Sequence, residues 1–285
     1  MHNPRWKAGD RAFAHIAQFH PELTALRRDL HAHPELGFEE LYTGRRVKEA
    51  LQLCGVDEIH EGIGRTGLVA VVRGRSQSSG SMVGLRADMD ALPIAEHNDF
   101  SWKSCKQGLM HGCGHDGHTA MLVGAARYLA ETRNFDGTAV LIFQPGEEGW
   151  AGARRMIDDG VLENPKVDRI YGLHLWPTVP KGKIGVRWDY LMAQTSDFEI
   201  TVHGKSAHAS TPQMGIDAIV VAAELITMVQ TVITRDVDPH QDALLTLGKI
   251  QGGTAHNITA RLCEFAVGFR VIPGESLADW HAKLM

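Results

Sequence analysis

Apolar residues recur at helical spacing over residues 12–31, where Phe13, Ile16, Leu23, Leu26 and Leu30 fall near a 3.6-residue period. This predicts a helix that ends at His31-Ala32-His33-Pro34, because proline disfavours a helical residue before it. A second helix is predicted over about 40–54, stopped by Gly55. Strand-like runs follow at 67–72 and 82–87, joined by the hairpin-type turn or loop 74–80. Residues 119–131, rich in Ala, Leu and Met, read as a helix. Residues 137–144 read as a buried strand from their β-branched and apolar run. A helix over about 152–159 and a strand over 167–173 complete this half. Alternating strands and helices with buried-looking strands imply an α/β sheet covered on both faces.

The pattern changes after Lys181–Ala193. Residues 197–204 alternate polar and apolar as a half-exposed strand does. An amphipathic helix is expected over 217–234, then strands at 243–249 and 261–270 around the turn Gln251-Gly252-Gly253-Thr254, then the start of a helix at Gly274. The order β-α-β-β-α lacks one strand of a ferredoxin-like split βαβ unit. A domain boundary is therefore placed near residue 187, separating 1–187 from 188–285.

The chain's 285 residues suffice for one large or two ordinary domains, and a net charge of −5 suggests neither a nucleic-acid nor an anionic-membrane partner. No apolar run approaches the ~18 residues of a membrane helix. The N-terminus lacks the apolar core of a signal peptide, so the expected location is the cytoplasm. Cys54, Cys105, Cys113 and Cys263 form no CxxC pair and are expected to be reduced thiols, with Cys54 and Cys263 as small core residues.

Chemistry concentrates in His111-Gly112-Cys113-Gly114-His115-Asp116-Gly117-His118, where thiolate, imidazole and carboxylate donors crowd between glycines. Three further groups fall at predicted strand ends: Asp88-Met89-Asp90, Glu147-Glu148 and His174. The set supplies more donors than one divalent ion needs. Two ions about 3.5–4 Å apart could share it and clamp a hydrolytic water.

Five segments in order resemble the M20 peptidase family, in its amidohydrolase branch: 26–37 (LRRDLHAHPELG), 84–94 (GLRADMDALPI), 111–118 (HGCGHDGH), 143–149 (FQPGEEG) and 172–177 (GLHLWP). That branch contains hippurate hydrolases, N-acyl-amino-acid amidohydrolases and auxin-conjugate hydrolases. The resemblance implies a zinc-peptidase-like catalytic domain, with a mixed sheet and helices on both faces, plus a ferredoxin-like lid that also forms the dimer contact. It implies Cys113, His115, Glu148 and His174 as ligands of two divalent ions (Mn, Zn, Co or Ni). Glu147 matches the general base that deprotonates the hydrolytic water, and Asp90 a carboxylate that orients a ligand from behind. Asp88 sits near a position where other branches carry a histidine ligand. His111 and His118 are left with supporting or structural roles, and Asp116 could orient a ligand.

In the lid, His208 matches the histidine that reaches the partner subunit's site to stabilise an oxyanion. Asn257 matches a substrate-binding residue, and Arg270 is a candidate for a substrate carboxylate. The implied substrate is an N-acyl amino acid such as hippurate, and the implied assembly a homodimer through the lid. In the family the chain returns after the lid to supply the last metal-ligand histidine. The sequence stops at Met285 inside a helix, so both domains are expected to be incomplete and the chain inactive or very weak. The alternatives are a dipeptidase or carboxypeptidase with the same centre, a hydrolase using Cys113 as nucleophile, and a non-catalytic remnant.

Overall fold

The computed structural model describes residues 8–238, 240, 242–272, 278 and 282, so the helix expected from Gly274 lies mostly outside the described residues. The chain divides into two units, Met1–Thr178 and Val179–Met285. The division falls within a stretch that carries neither helix nor strand between Gly172 and Gln194.

The first unit opens with α1 (Ala8–Ala17) and α2 (His20–Ala32) in place of one continuous helix. Pro21 is the reason: it has no N–H to donate, and its ring clashes with the carbonyl four residues back, so a helix restarts around it. Phe19, at the break, is buried at 1% exposure, whereas Phe13 of the expected apolar stripe is 75% exposed. Helix α3 (Leu41–Cys54) ends where Gly55 takes a left-handed φ of 70°.

A five-stranded sheet follows, built from β1 (Glu58–Ile63), β2 (Gly67–Arg73), β3 (Met82–Asp88), β4 (Thr138–Gln144) and β5 (Arg169–Gly172), in the order β1-β2-β4-β3-β5. β1 escaped the sequence pattern because it is a mostly polar edge strand whose partner is β2. Strands β2 and β3 are not hairpin neighbours, since β4 lies between them, antiparallel to β2 and parallel to β3. Loop 74–80 instead packs on the turn before β4, with Gly74 N–H and Gln77 Nε2–H both donating to Gly137 O. Helix α4 (His115–Thr132) lies between β3 and β4 in sequence, and α5 (Gly152–Asp158) between β4 and β5.

Both faces of the sheet are covered. On one, α2, α3 and α4 bring Leu26, Leu30, Val47, Leu51 and Leu122 onto Leu68, Leu141 and Phe143. On the other, Met156 of α5 and Val161 meet Val69, Val140 and Ile142. Each fully buried large apolar side chain contributes about 1.5–3 kcal/mol relative to exposure. β5 is the exception: its four residues are exposed, including Ile170 and Tyr171.

The second unit holds β6 (Gln194–His203), α6 (Ala218–Arg235), β7 (Ala243–Gly252) and β8 (Leu262–Val271), with antiparallel order β6-β8-β7. This is the arrangement of three of the four strands in a split βαβ unit. Asp217 starts α6 by accepting from the N–H of Ile219 at 2.9 Å. At 18 residues α6 is long and apolar enough to cross a membrane by length and composition alone. That corrects the expectation that no apolar run approaches this length: Glu224, Thr227, Gln230 and Thr231 interrupt the run without lowering its average enough. One stripe of α6, including Ala218 and Ala222, packs on Val202, Cys263 and Phe265 of the sheet.

Leu141→Ala is expected to cost about 2–5 kcal/mol through a cavity in the first unit. Leu53→Ala, at a position 90% exposed, should stay within about 0.5 kcal/mol. Urea unfolding followed by circular dichroism measures both, and equal losses would contradict the core described.

Candidate metal centre

Because β3 is parallel to both β4 and β5, three strands deliver their C-terminal ends to one place. The register pairs Asp88 with Gln144 and Arg86 with Gly172, so Asp88–Asp90, Glu147–Glu148 and His174 emerge side by side. Helix α4 begins at the same place, after Cys113 and a Gly114 whose φ of 87° disfavours any residue with a Cβ.

His115 is the centre of the cluster and is fully buried. Its Nδ1 lies 3.3 Å from Asp90 Oδ1, and the other Asp90 oxygen accepts the Glu148 backbone N–H at 2.9 Å. One carboxylate thus orients two of the expected ligands. His115 Nε2 faces Glu148 Oε1 at 3.7 Å and Glu147 Oε2 at 4.0 Å. Cys113 Sγ stands 3.4 Å from His174 Nε2. Two donor groups able to hold an ion therefore share His115: Cys113 with His174, and Glu147 with Glu148.

Asp88, His115 and His118 form a third such group. There two of the three, Asp88 and His118, are already engaged with other partners. Asp88 accepts from His118 Nδ1 at 2.6 Å and from Arg86 at 2.8 Å, and His118 Nε2 accepts the Leu175 N–H. Asp88 is best described as a charged neighbour of the centre.

Whether the site suits a cation can be judged from its own atoms. His115 Nε2 and Glu148 Oε1 are buried without a hydrogen-bond partner, a state that costs about 1–3 kcal/mol per group unless something binds them. The surrounding charge is negative. Burial, with Glu148, Glu147 and Asp88 close by, pushes the Cys113 thiol up to about 12. Burial and the adjacent Glu148 also raise the Glu147 carboxyl above its usual range. Burial works against ionisation of Asp88, but the His118 hydrogen bond with His115 and Arg86 holds it at about 2. Thiol, imidazole and carboxylate facing an uncompensated negative cluster fit a borderline divalent ion such as zinc, manganese or cobalt.

Asp116 does not turn toward the centre. It accepts from His31 Nδ1 at 2.7 Å and Arg27 Nε at 2.9 Å, which ties α4 to α2. His31 in turn reaches Glu96. The sequence assigns no role to this buried network or to Arg86: the motif 26–37 contains His31, but no local pattern in it sets where that side chain points.

In the second unit, His208 and Asn257 share one end of the sheet, where Ala209 N–H donates to Asn257 O and His208 bridges Ile258. His208 Nδ1 lies 2.7 Å from Ser210 Oγ. Arg270 stands at the opposite end, opposite Thr195, in a cleft of about 400 Å³ with Arg187, Tyr190 and Asp242. The eight residue steps of β8 from Leu262 to Arg270 span roughly 26 Å at strand rise.

A sequence profile of peptidase family M20/M25/M40 matches residues 84–278. The chain is 39% identical over 261 residues to a hippurate hydrolase of Campylobacter jejuni, covering 92% of this chain and 67% of that protein. It is 41% identical over 244 residues to an N-acetyl-L-cysteine deacetylase of Bacillus subtilis, covering 85% of this chain and 58% of the relative. The chain is thus shorter than both. Among solved structures it resembles a dinuclear metal-binding peptidase of the M20 family from Bacillus subtilis, with a TM-score of 0.75 and 35% identity over 94% of this chain and 68% of that one.

Asp90→Asn, which removes the charge behind His115, is expected to weaken zinc or manganese binding by about 10–100-fold in calorimetry. An unchanged affinity would detach Asp90 from the centre. In the metal-free chain at neutral pH, a thiol raised to about 12 is almost entirely protonated, and the thiolate is the reactive form. Iodoacetamide should therefore modify the exposed Cys105 before Cys113, by mass spectrometry of the digested protein. The reverse order would contradict that environment.

Proposed function

The chain belongs to peptidase family M20/M25/M40, in its amidohydrolase branch, and from that premise we propose that it carries the main part of an active site hydrolysing the amide bond of N-acyl amino acids. The observation that carries this reading is the pair of unpartnered buried atoms, His115 Nε2 and Glu148 Oε1, set between Cys113–His174 and the unbonded carboxylate of Glu147.

Cys113, His115, Glu148 and His174 would hold the metal, which when bound polarises the substrate carbonyl and lowers the pKa of a water. Glu147 is placed beside these ligands, with its carboxylate partly exposed and its pKa raised by burial and by Glu148. It accepts a proton from the attacking water and returns it to the departing amine nitrogen. Two adjacent glutamates so take separate tasks, one coordinating and the other moving the proton.

The acyl group has a natural berth. A cleft of about 290 Å³ lined by Leu36, Ala91, Pro93, Gly149 and Trp150 adjoins Glu148. Its apolar walls favour an acyl chain or ring over the ammonium group of a free dipeptide, which supports the amidohydrolase over the dipeptidase.

In the lid, Arg270 would bind the substrate carboxylate and His208 the developing oxyanion, with Asn257 beside it. Their placement at opposite ends of one sheet supports contributions from two subunits of a homodimer. Exposed apolar residues on α6 and β7, among them Ile219, Val220, Met228, Leu244 and Ile250, offer the contact. The uncovered β5 beside His174, together with the greater length of the relatives, supports a further segment that adds the last ligand histidine.

Loaded with manganese, the chain should prefer benzoyl-, acetyl- and indole-acetyl amino acids to free dipeptides, at rates far below those of a longer relative. Glu147→Gln should lower kcat by about 10²–10⁴ with metal content unchanged. Activity should vanish with a chelator and survive iodoacetamide when metal is bound. Preference for dipeptides, indifference to chelation, or rates equal to a longer relative would each sink the corresponding part of the reading.

A further inference from the structure

His174 is an exposed residue beyond the last hydrogen-bonded pair of β5, in a segment without regular structure. A side chain on such backbone has no ladder to aim it, and ordering it on metal binding would cost conformational entropy. His115, by contrast, sits on a helix and is oriented by Asp90. Some other contact must fix His174.

On the reading that Cys113, His115, Glu148 and His174 hold the metal, we propose that His118 is a positioning residue: as a neutral Nδ1–H imidazole it fixes the Leu175 peptide, and through it aims the Nε2 lone pair of His174 into the centre. The tautomer follows from geometry. A peptide N–H only donates, so the Leu175 N–H 2.8 Å from His118 Nε2 requires a lone pair on that nitrogen. The ring proton is then on Nδ1, where Asp88 Oδ1 accepts it at 2.6 Å. Arg86 holds the other Asp88 oxygen at 2.8 Å.

The Leu175 carbonyl continues the chain of contacts. A carbonyl only accepts, so His174 Nδ1, 2.7 Å away, donates to it and leaves the Nε2 lone pair facing Cys113 Sγ at 3.4 Å. The two imidazoles also pack directly, with ring centroids 4.6 Å apart. The Leu175 side chain is seated on the start of α4, where a Cβ on Gly117 would meet its Cδ1 at 2.7 Å and one on Gly114 at 3.2 Å. These contacts form a relay from Arg86 through Asp88, His118 and the Leu175 backbone to His174.

A purely structural role, joining α4 to β3, is already met without His118, because Thr119 Oγ1 donates to the Asp88 carbonyl at 2.8 Å. The positioning role therefore has its own signature. Cobalt(II) is titrated into the wild type, His118→Gln, His118→Leu and His174→Ala. Thiolate-to-cobalt charge-transfer absorption reports Cys113, the visible bands report the ligand set, and circular dichroism reports the fold. Gln carries both a donor group and an acceptor group and should bind cobalt within about 3-fold of wild type. Leu should bind about 10–100-fold more weakly and give the visible spectrum of His174→Ala.

Wild-type affinity and spectrum in His118→Leu would overturn the proposal. Should that variant not fold, long-range ¹H–¹⁵N correlation on the wild type decides alone: a protonated Nε2 on His118 at neutral pH overturns the proposal, and a lone pair there with Nδ1–H supports it. A wild type that takes up no cobalt would overturn the metal-centre reading and this role with it, whereas a failure confined to His118 leaves that reading standing.

Discussion

Negative charge is concentrated at the end of the first unit's sheet beyond what its neighbours neutralise, and the local structure is arranged around that constraint. Asp88, Asp90, Glu147 and Glu148 converge on one buried imidazole, with a thiol at their side. Arg86 neutralises Asp88, which also accepts a hydrogen bond from His118, and His115 Nδ1 faces Asp90. Glu147 and Glu148 face only the imidazole of His115, which Asp88 and Asp90 share, and at this centre His115 Nε2 and Glu148 Oε1 are left without hydrogen-bond partners. A cluster of this kind is costly in a protein interior unless a cation joins it, which is why it reads as a functional site and not as a structural ion-pair network.

The scaffold answers that constraint with parallel strands and with fixed orientations. Parallel pairing of β3 with β4 and β5 puts their three C-terminal ends together, which an antiparallel arrangement would not do. The start of α4 is anchored on both sides, through Asp116 to His31 and Arg27 of α2 and through Thr119 to β3. His115 is consequently placed by rigid elements, while Glu148 hangs from Asp90 by its backbone N–H and His174 from the Leu175 peptide. The ligands differ in how they are held, and the least regular backbone has the longest chain of supporting contacts.

In the second unit the constraint is distance. The ten-residue strand β8 separates the segment around His208 and Asn257 from Arg270, so one copy of this sheet holds them at opposite ends.

Periodicity alone located α3, α4, α5, α6 and most strands, because amphipathic spacing and buried β-branched runs are local properties. It merged α1 with α2 across Pro21 and passed over β1, whose exposed polar residues carry no apolar signal. The grouping of Cys113, His115, Glu147, Glu148 and His174 was also legible, because each donor lies next to a predicted strand end or in one glycine-rich loop. What the sequence could not contain was direction. Loop 74–80 looks like a hairpin until β4 is seen between its strands, Asp116 looks like a ligand neighbour until it turns to α2, and His118 looks interchangeable with His111. Which way a side chain points depends on the partners that folding brings to it from 30 to 85 residues away. The sequence thus determined which donors are available, and the tertiary structure decided which of them are already satisfied and which are left open for a ligand.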